Sequence, residues 1–270
     1  TIRLNGGAPV NFTVTPVNTN GVFTNPYFTI NAIFTATGPT ALMEITNSTT
    51  NNSALLVDNF TIAAATAIPV SNADNDGPGS LRQALIAAAT TPAFNVLTFA
   101  PALSGQTITL LSEITVFDPS GAVIDASALA AGITISGGGN TRIFTVGSNT
   151  LISLRKLTLT GGNSPGEGGA ILNQGRLSLA GCTLTGNSAS DSGGAIKNEA
   201  QLQLTQCTLT GNQSGGDGGA ILNTFGTSLA LTHCTISGNS AAGPCQGVYS
   251  DATMIIANCI IAGHSSGTFD

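Results

Sequence analysis

Charge is scarce in this chain. Only 7% of its 270 residues are Asp, Glu, Lys or Arg, against about 25% in an ordinary soluble domain. Seven Lys and Arg are scattered against thirteen Asp and Glu, for a net charge of −6. Without a basic patch, nucleic acid and anionic membrane surfaces are poor partners. No apolar run nears the roughly 18 residues that a membrane-spanning helix needs. Tryptophan is absent and there are two tyrosines, Tyr27 and Tyr249, so the aromatic platforms of a sugar-processing cleft are missing. Five cysteines, an odd number, argue against a purely disulfide-built framework. No CxxC or Cys/His metal spacing occurs among them. The hydrophobic fraction of 41% is ordinary and excludes a disordered chain.

What is abundant is Gly, Thr, Ser and Asn, arranged in a repeated phrase. GGAIxN, a Leu-x-Leu run and CTLTGN or CTISGN occur at Gly168–Asn173 with Cys182–Asn187, at Gly193–Asn198 with Cys207–Asn212, and at Gly218–Asn223 with Cys234–Asn239. From Cys182 to Cys207 the step is 25 residues, and from Cys207 to Cys234 it is 27. Such a near-fixed period predicts an all-β solenoid, each repeat one coil stacked on the last. Three β runs per repeat predict three sides. Alternation points one set of residues inward: Ile171, Ile196, Ile221 and Val248; Leu177, Leu202, Leu229 and Met254; Leu179, Leu204, Leu231 and Ile256; Leu157, Cys182, Cys207, Cys234 and Cys259; and Leu159, Leu184, Leu209, Ile236 and Ile261. The cysteines read as small buried hydrophobes, although in-register neighbours are close enough to bridge. Asn173, Asn198 and Asn223, and Asn187, Asn212 and Asn239, fall at coil corners, where Asn tolerates left-handed backbone and can bond along the stack.

Two domains are expected, 1–67 and 68–270. In the first, strand-like runs at 10–14, 27–34, 41–45 and 54–62 alternate with turn clusters and predict a partial antiparallel β-sandwich. Residues 27–62 resemble the last strands of secreted jelly-roll modules that often bind sugars. Residues 63–71 read as a linker. In NADNDGPGSLRQALIA, Ser80 and Gln83 form a capping box, and Leu81, Leu85 and Ile86 give the helix an apolar stripe to lay on the first coil. This stretch, with NVLTFAP, ITISG and the GGAIxN/CTxxGN repeats, resembles secreted bacterial right-handed parallel β-helix surface proteins. Those carry a GSLRxAI capping motif; here it reads GSLRQAL, with Leu85 in place of Ile. The resemblance covers about 72–264 and implies a cell-surface, adhesive class of protein, few of whose members have demonstrated catalysis.

Candidate chemistry is thin. Glu167, Asp191 and Asp217 recur near the GG corner, where strand spacing of about 5 Å would let three carboxylates hold Ca²⁺ or serve a polysaccharide enzyme. The turn Asp74-Asn75-Asp76-Gly77 is a weaker calcium candidate. His233 and His264 lack a nucleophile or acid partner, and His233 faces outward by alternation. No catalytic residue and no other cofactor is expected. The outward letters of the CTLTGN strand are nearly all Thr: Thr158 and Thr160, Thr183 and Thr185, Thr208 and Thr210, Thr235 and Ser237. This two-column array is the candidate contact face. The chain opens on Thr1 and stops at Phe269-Asp270, which reads as a trimmed piece of an exported precursor.

The sequence therefore points to a non-enzymatic extracellular structural or adhesive protein at the cell surface. Open sheet edges and solenoid ends would let it assemble into a fibre or sheath. Its expected partners are other copies of itself, cell-surface or matrix components, or glycans. The alternatives are a polysaccharide-binding or polysaccharide-degrading β-helix (a lyase or hydrolase) and an ice-binding solenoid acting through the Thr array.

Overall fold

The structure, a computed structural model, describes residues 65–224, 226–243 and 245–263, together with 2–4, 18–19, 22–23 and 43–45. The chain divides into two units, Thr1–Ile62 and Ala63–Asp270. In the first, Ile2–Leu4 pairs antiparallel with Met43–Ile45, and Asn18–Thr19 pairs antiparallel with Val22–Phe23. The other runs expected in the sandwich, 10–14, 27–34 and 54–62, lie outside the described residues, as does His264.

The second unit is a parallel β-solenoid. Its strands form four sheets of eight, seven, six and four strands. One coil visits them in turn: Ile171–Asn173 in the six-stranded sheet, Arg176–Ala180 in the eight-stranded, Thr183–Thr185 in the seven-stranded and Ser188–Ala189 in the four-stranded. Three sides were expected. The fourth is a two-residue strand directly after the Gly-Asn corner, too short to leave a periodic signal in the sequence. It is held by backbone bonds such as Ser188 N to Gly162 O at 2.8 Å.

Register puts like on like along each inward column. Phe144, Ile171, Ile196, Ile221 and Val248 are successive partners, and so are Leu159, Leu184, Leu209, Ile236 and Ile261. Leu159, Leu184, Leu209 and Ile236 are fully buried, each side chain contributing about 2–3 kcal/mol of burial. Cys182, Cys207 and Cys234 are buried beside them, and Cys259 is half-buried. On the last described coil the columns open: Ile256 is 41% exposed.

Within the expected linker, residues 66–70 form a strand. Thr66–Val70 is the edge strand of the longest sheet, parallel to Asn95–Phe99, with Ile68 opposite Leu97 and Val70 opposite Phe99. Pro69 made the stretch read as a break, but an edge strand tolerates a residue that cannot donate on its open side.

Ser80 begins the helix Leu81–Ala89 by accepting from the Gln83 N–H at 3.2 Å. The reciprocal half of the capping box is not made, because the Ser80 N–H goes to Gly77 O. The buried face is Leu81, Ala84, Leu85 and Ala88, and it packs on Thr66–Val70 and Asn95–Phe99. Ile86, expected in the stripe, is 52% exposed; five residues on from Leu81 it is rotated by about 140°. Arg82 of the capping motif acts as a clamp. Its guanidinium donates to the carbonyls of Asn75, Ser112 and Glu113, tying the helix to the following coil.

Candidate functional site

The threonine face is longer than the repeat revealed. Thr107, Thr134, Thr158, Thr183, Thr208 and Thr235 are successive partners in the seven-stranded sheet. Beside them run Thr109, Ser136, Thr160, Thr185, Thr210 and Ser237. Alternation against the inward leucines turns both columns to solvent. Parallel-strand geometry sets the rungs about 4.8 Å apart and the columns about 6.6 Å apart. The threonine hydroxyls of this face make no hydrogen bond among the described residues, so all are free to meet a partner. Ile260 and Ala262 continue the columns on the last strand. The two rungs at 107–109 and 134–136 escaped the sequence because their steps do not share the repeat's period.

The acidic corner is not gathered. Glu167 Oε1 receives the Lys197 ammonium at 2.5 Å, and Lys197 is buried. Asp191 is exposed and accepts from Ser192 Oγ at 3.3 Å. Asp217 tucks Oδ1 under the next coil, against Gly243, where it has no hydrogen-bond partner. Among the described residues no three His, Cys, Asp or Glu side chains converge to hold a metal. The calcium expectation for Glu167, Asp191 and Asp217 loses its geometry, because each carboxylate is drawn to a different neighbour. The Asp74–Gly77 turn is likewise committed: Asp76 Oδ1 accepts from Gly77 N at 2.7 Å, and Asn75 Oδ1 from Leu111 N at 2.8 Å.

Beside this corner lies a residue the sequence did not single out. Arg142 pairs with Glu113 at 2.9 Å and donates to Ser164 Oγ, Glu167 O and Gly168 O. One side chain thereby spans three coils. It occurs once, so no period could announce it.

The two asparagine columns are internal. Asn173, Asn198 and Asn223 are fully buried and linked Nδ2 to Oδ1 at 2.6 Å, the last donating to Ser250 Oγ at 2.8 Å. Asn187, Asn212 and Asn239 are linked the same way at 2.9 Å. Left-handed backbone was expected at these asparagines. It falls instead on the glycine before the second set, Gly186, Gly211 and Gly238, each with φ 63°. That leaves the asparagine side chain aimed inward. At the GG corner a Cβ on Gly194 would collide with the Gly219 carbonyl, so coils could not stack there with any larger residue.

Cys182, Cys207, Cys234 and Cys259 are free thiols. Hydrogen bonding to Cys182, and then burial, push the Cys207 thiol up to about 12, and Cys207 raises Cys234 in the same way. The hydrogen bond from Cys207 draws the Cys182 thiol down instead, so it is Cys207 and Cys234 that are held protonated and are poor nucleophiles or soft-metal ligands. Cys182, Cys207 and Cys234 each donate to a carbonyl of the preceding coil, as Cys207 does to Leu179 O at 3.5 Å. His233 is exposed and contacts Asn258 Nδ2 at 3.3 Å. It holds the left-handed corner (φ 54°) just before Cys234.

Two segments, residues 181–199 and 206–224, match the Chlamydia polymorphic membrane protein repeat. Each match opens on the corner before a buried cysteine, runs through a threonine strand, the second asparagine column and the GG corner, and ends just past the first asparagine column. The strands of the longest sheet fall outside both matched segments. The chain is thus similar to that repeat over two coils, which carry two of the six rungs of the threonine face. No curated protein and no solved structure matches it. Among the described residues no helix is long and apolar enough to cross a membrane.

Proposed function

We propose that this chain is the solenoid part of a cell-surface protein that works by contact, as an adhesin, and not by catalysis. The observation that carries the reading is the six-rung hydroxyl face: uncharged, in register and, among the described residues, with no hydrogen bond on its threonine hydroxyls, Ser136 Oγ alone accepting from the Gly138 N–H. The similarity to a membrane-protein repeat supports the surface placement. The internal commitments of Glu167, Lys197 and the cysteines favour a structural use of the groups that would otherwise do chemistry. Thr183→Lys with Thr208→Lys tests it, with adhesion of protein-coated beads to cells and to matrix components as the readout. These outward substitutions leave the core intact, and a loss of about tenfold or more is expected if the face is a contact hot spot. Undiminished adhesion removes the face from the reading, and no adhesion by the wild type removes the reading itself.

The sharper form of the proposal is a fibre or sheath built from copies of the chain, with the 41–63% exposed Ile255, Ile256 and Ile260 of the last coil in contact with a neighbour. A monomer in sedimentation at high concentration overturns that form alone. Regular hydroxyl spacing favours one further reading, binding of ordered water at ice surfaces. Thermal hysteresis that Thr183→Tyr and Thr208→Tyr leave unchanged, or that the wild type lacks, eliminates it.

A further inference from the structure

Two polar atoms in the first coils are buried without a partner. Asn95 is fully buried and Asp118 is 2% exposed. The Asn95 amide donates from Nδ2 to the carbonyls of Ala88 at 3.1 Å and Ala93 at 2.7 Å. This anchors the last turn of the capping helix and fixes which way the amide faces. Asp118 accepts at Oδ1 from the backbone N–H groups of Ser120 at 2.9 Å and Gly121 at 3.1 Å. Asn95 Oδ1 and Asp118 Oδ2 are left over. Gly121 joins the two residues: its N–H serves Asp118, and its carbonyl accepts from the Asn95 N–H at 3.1 Å.

With Asp118 ionised, both orphans are acceptors, and neither can satisfy the other. A single proton on the carboxyl supplies the missing donor for both. We propose that the folded chain holds Asp118 as the neutral carboxylic acid, its Oδ2 proton donated to Asn95 Oδ1, as a lock between the capping helix and the second coil. Burial pushes the Asp118 carboxyl above its usual range, in the same direction, against the backbone hydrogen bonds and the Asn95 amide that would lower it. Among the described residues no charged group is bonded to the pair to keep it ionised. Asp125 and Arg155, on the neighbouring strands, pair with each other at 3.8 Å on the outward side of the longest sheet. Arg82 is committed to Ser112 and Glu113, and Glu113 to Arg142. The remaining neighbour, Thr150, donates from Oγ1 to Val116 O and accepts from the Asp118 N–H.

The sign follows from linkage. A carboxyl whose folded pKa lies above its unfolded value contributes fully below the unfolded range, and that contribution is lost as pH rises through the folded pKa. Asp118→Asn replaces the acid by a permanent donor of the same shape. In denaturant unfolding across the acidic to neutral range, the wild type should lose stability relative to this variant as pH rises. The ratio of unfolding constants should climb by up to about tenfold per pH unit between the unfolded and the folded pKa and level off above the folded pKa. A ratio that is constant with pH, or that moves the other way, overturns the lock. The wild type alone gives an independent reading. Just above the ordinary carboxyl range, its infrared spectrum should keep the carbonyl band of one protonated carboxyl. The absence of that band overturns the proposal even if Asp118→Asn does not fold.

Discussion

The early and late coils of this solenoid solve one problem by different means. From Leu157 onward, coils close by repetition: a buried asparagine at each of two corners bonds to its copy above and below, and inward residues stack on their own kind. Before Leu157 the steps are uneven, 24 residues from Ile133 to Leu157 and 30 from Ala122 to Ile152. There the closure is made by single fitted groups, Arg82, Asn95, Asp118 and Arg142. A repeated ladder shares its load between neighbours. A fitted clamp carries its load alone, and its loss should stay local.

Substitutions can break or sharpen that contrast. Leu209→Ala, in the middle of a dry column, should cost about 3–4 kcal/mol in urea unfolding. Asn198→Leu removes the shared partner of Asn173 and Asn223 and strips a donor from the carbonyls of Ala200 and Ser228. About 3 kcal/mol should be lost, with faster hydrogen exchange spreading to the coils on both sides. Arg82→Ala should cost about 2 kcal/mol, with faster exchange confined to the helix and the first two coils. If Asn198→Leu stays as local as Arg82→Ala, the distinction between shared and solitary closure is wrong. Lys197→Met, which leaves Glu167 partly exposed to water, should cost about 1 kcal/mol and leave the late ladders intact. Ile86→Ala, on the exposed side of the helix, should change stability by about 0.5 kcal/mol or less.

Legibility in the sequence follows the same division. The late coils could be written out from Leu, Cys and Gly-Asn spacing because stacking forces a period on whatever is stacked. The edge strand at Thr66–Val70 was lost behind Pro69, and the fourth side behind a strand of two residues. The threonine face was legible from Thr158 and invisible at Thr107 and Thr134, where the columns continue without the period. The acidic corner misled because sequence spacing places backbone positions, while each carboxylate chose its partner through side-chain reach: Lys197 for Glu167, Ser192 for Asp191. Arg142 and Asp118 left no signal, since a group that acts once has nothing to be compared with.

The corner between Asn223 and Ser228 is where the 27-residue step is absorbed. Asn198 pairs with Asn223 and Gln201 with Ser228, so four residues stand where the previous coil has two. Thr227 closes the swelling on Asn223 Oδ1 at 2.7 Å, and the next coil resumes in register, Ser228 opposite Thr253. Chain length and alignment are thereby uncoupled at one edge. The molecule has a splice point there, where extra residues can be carried on the outside of the stack without any rung learning of them.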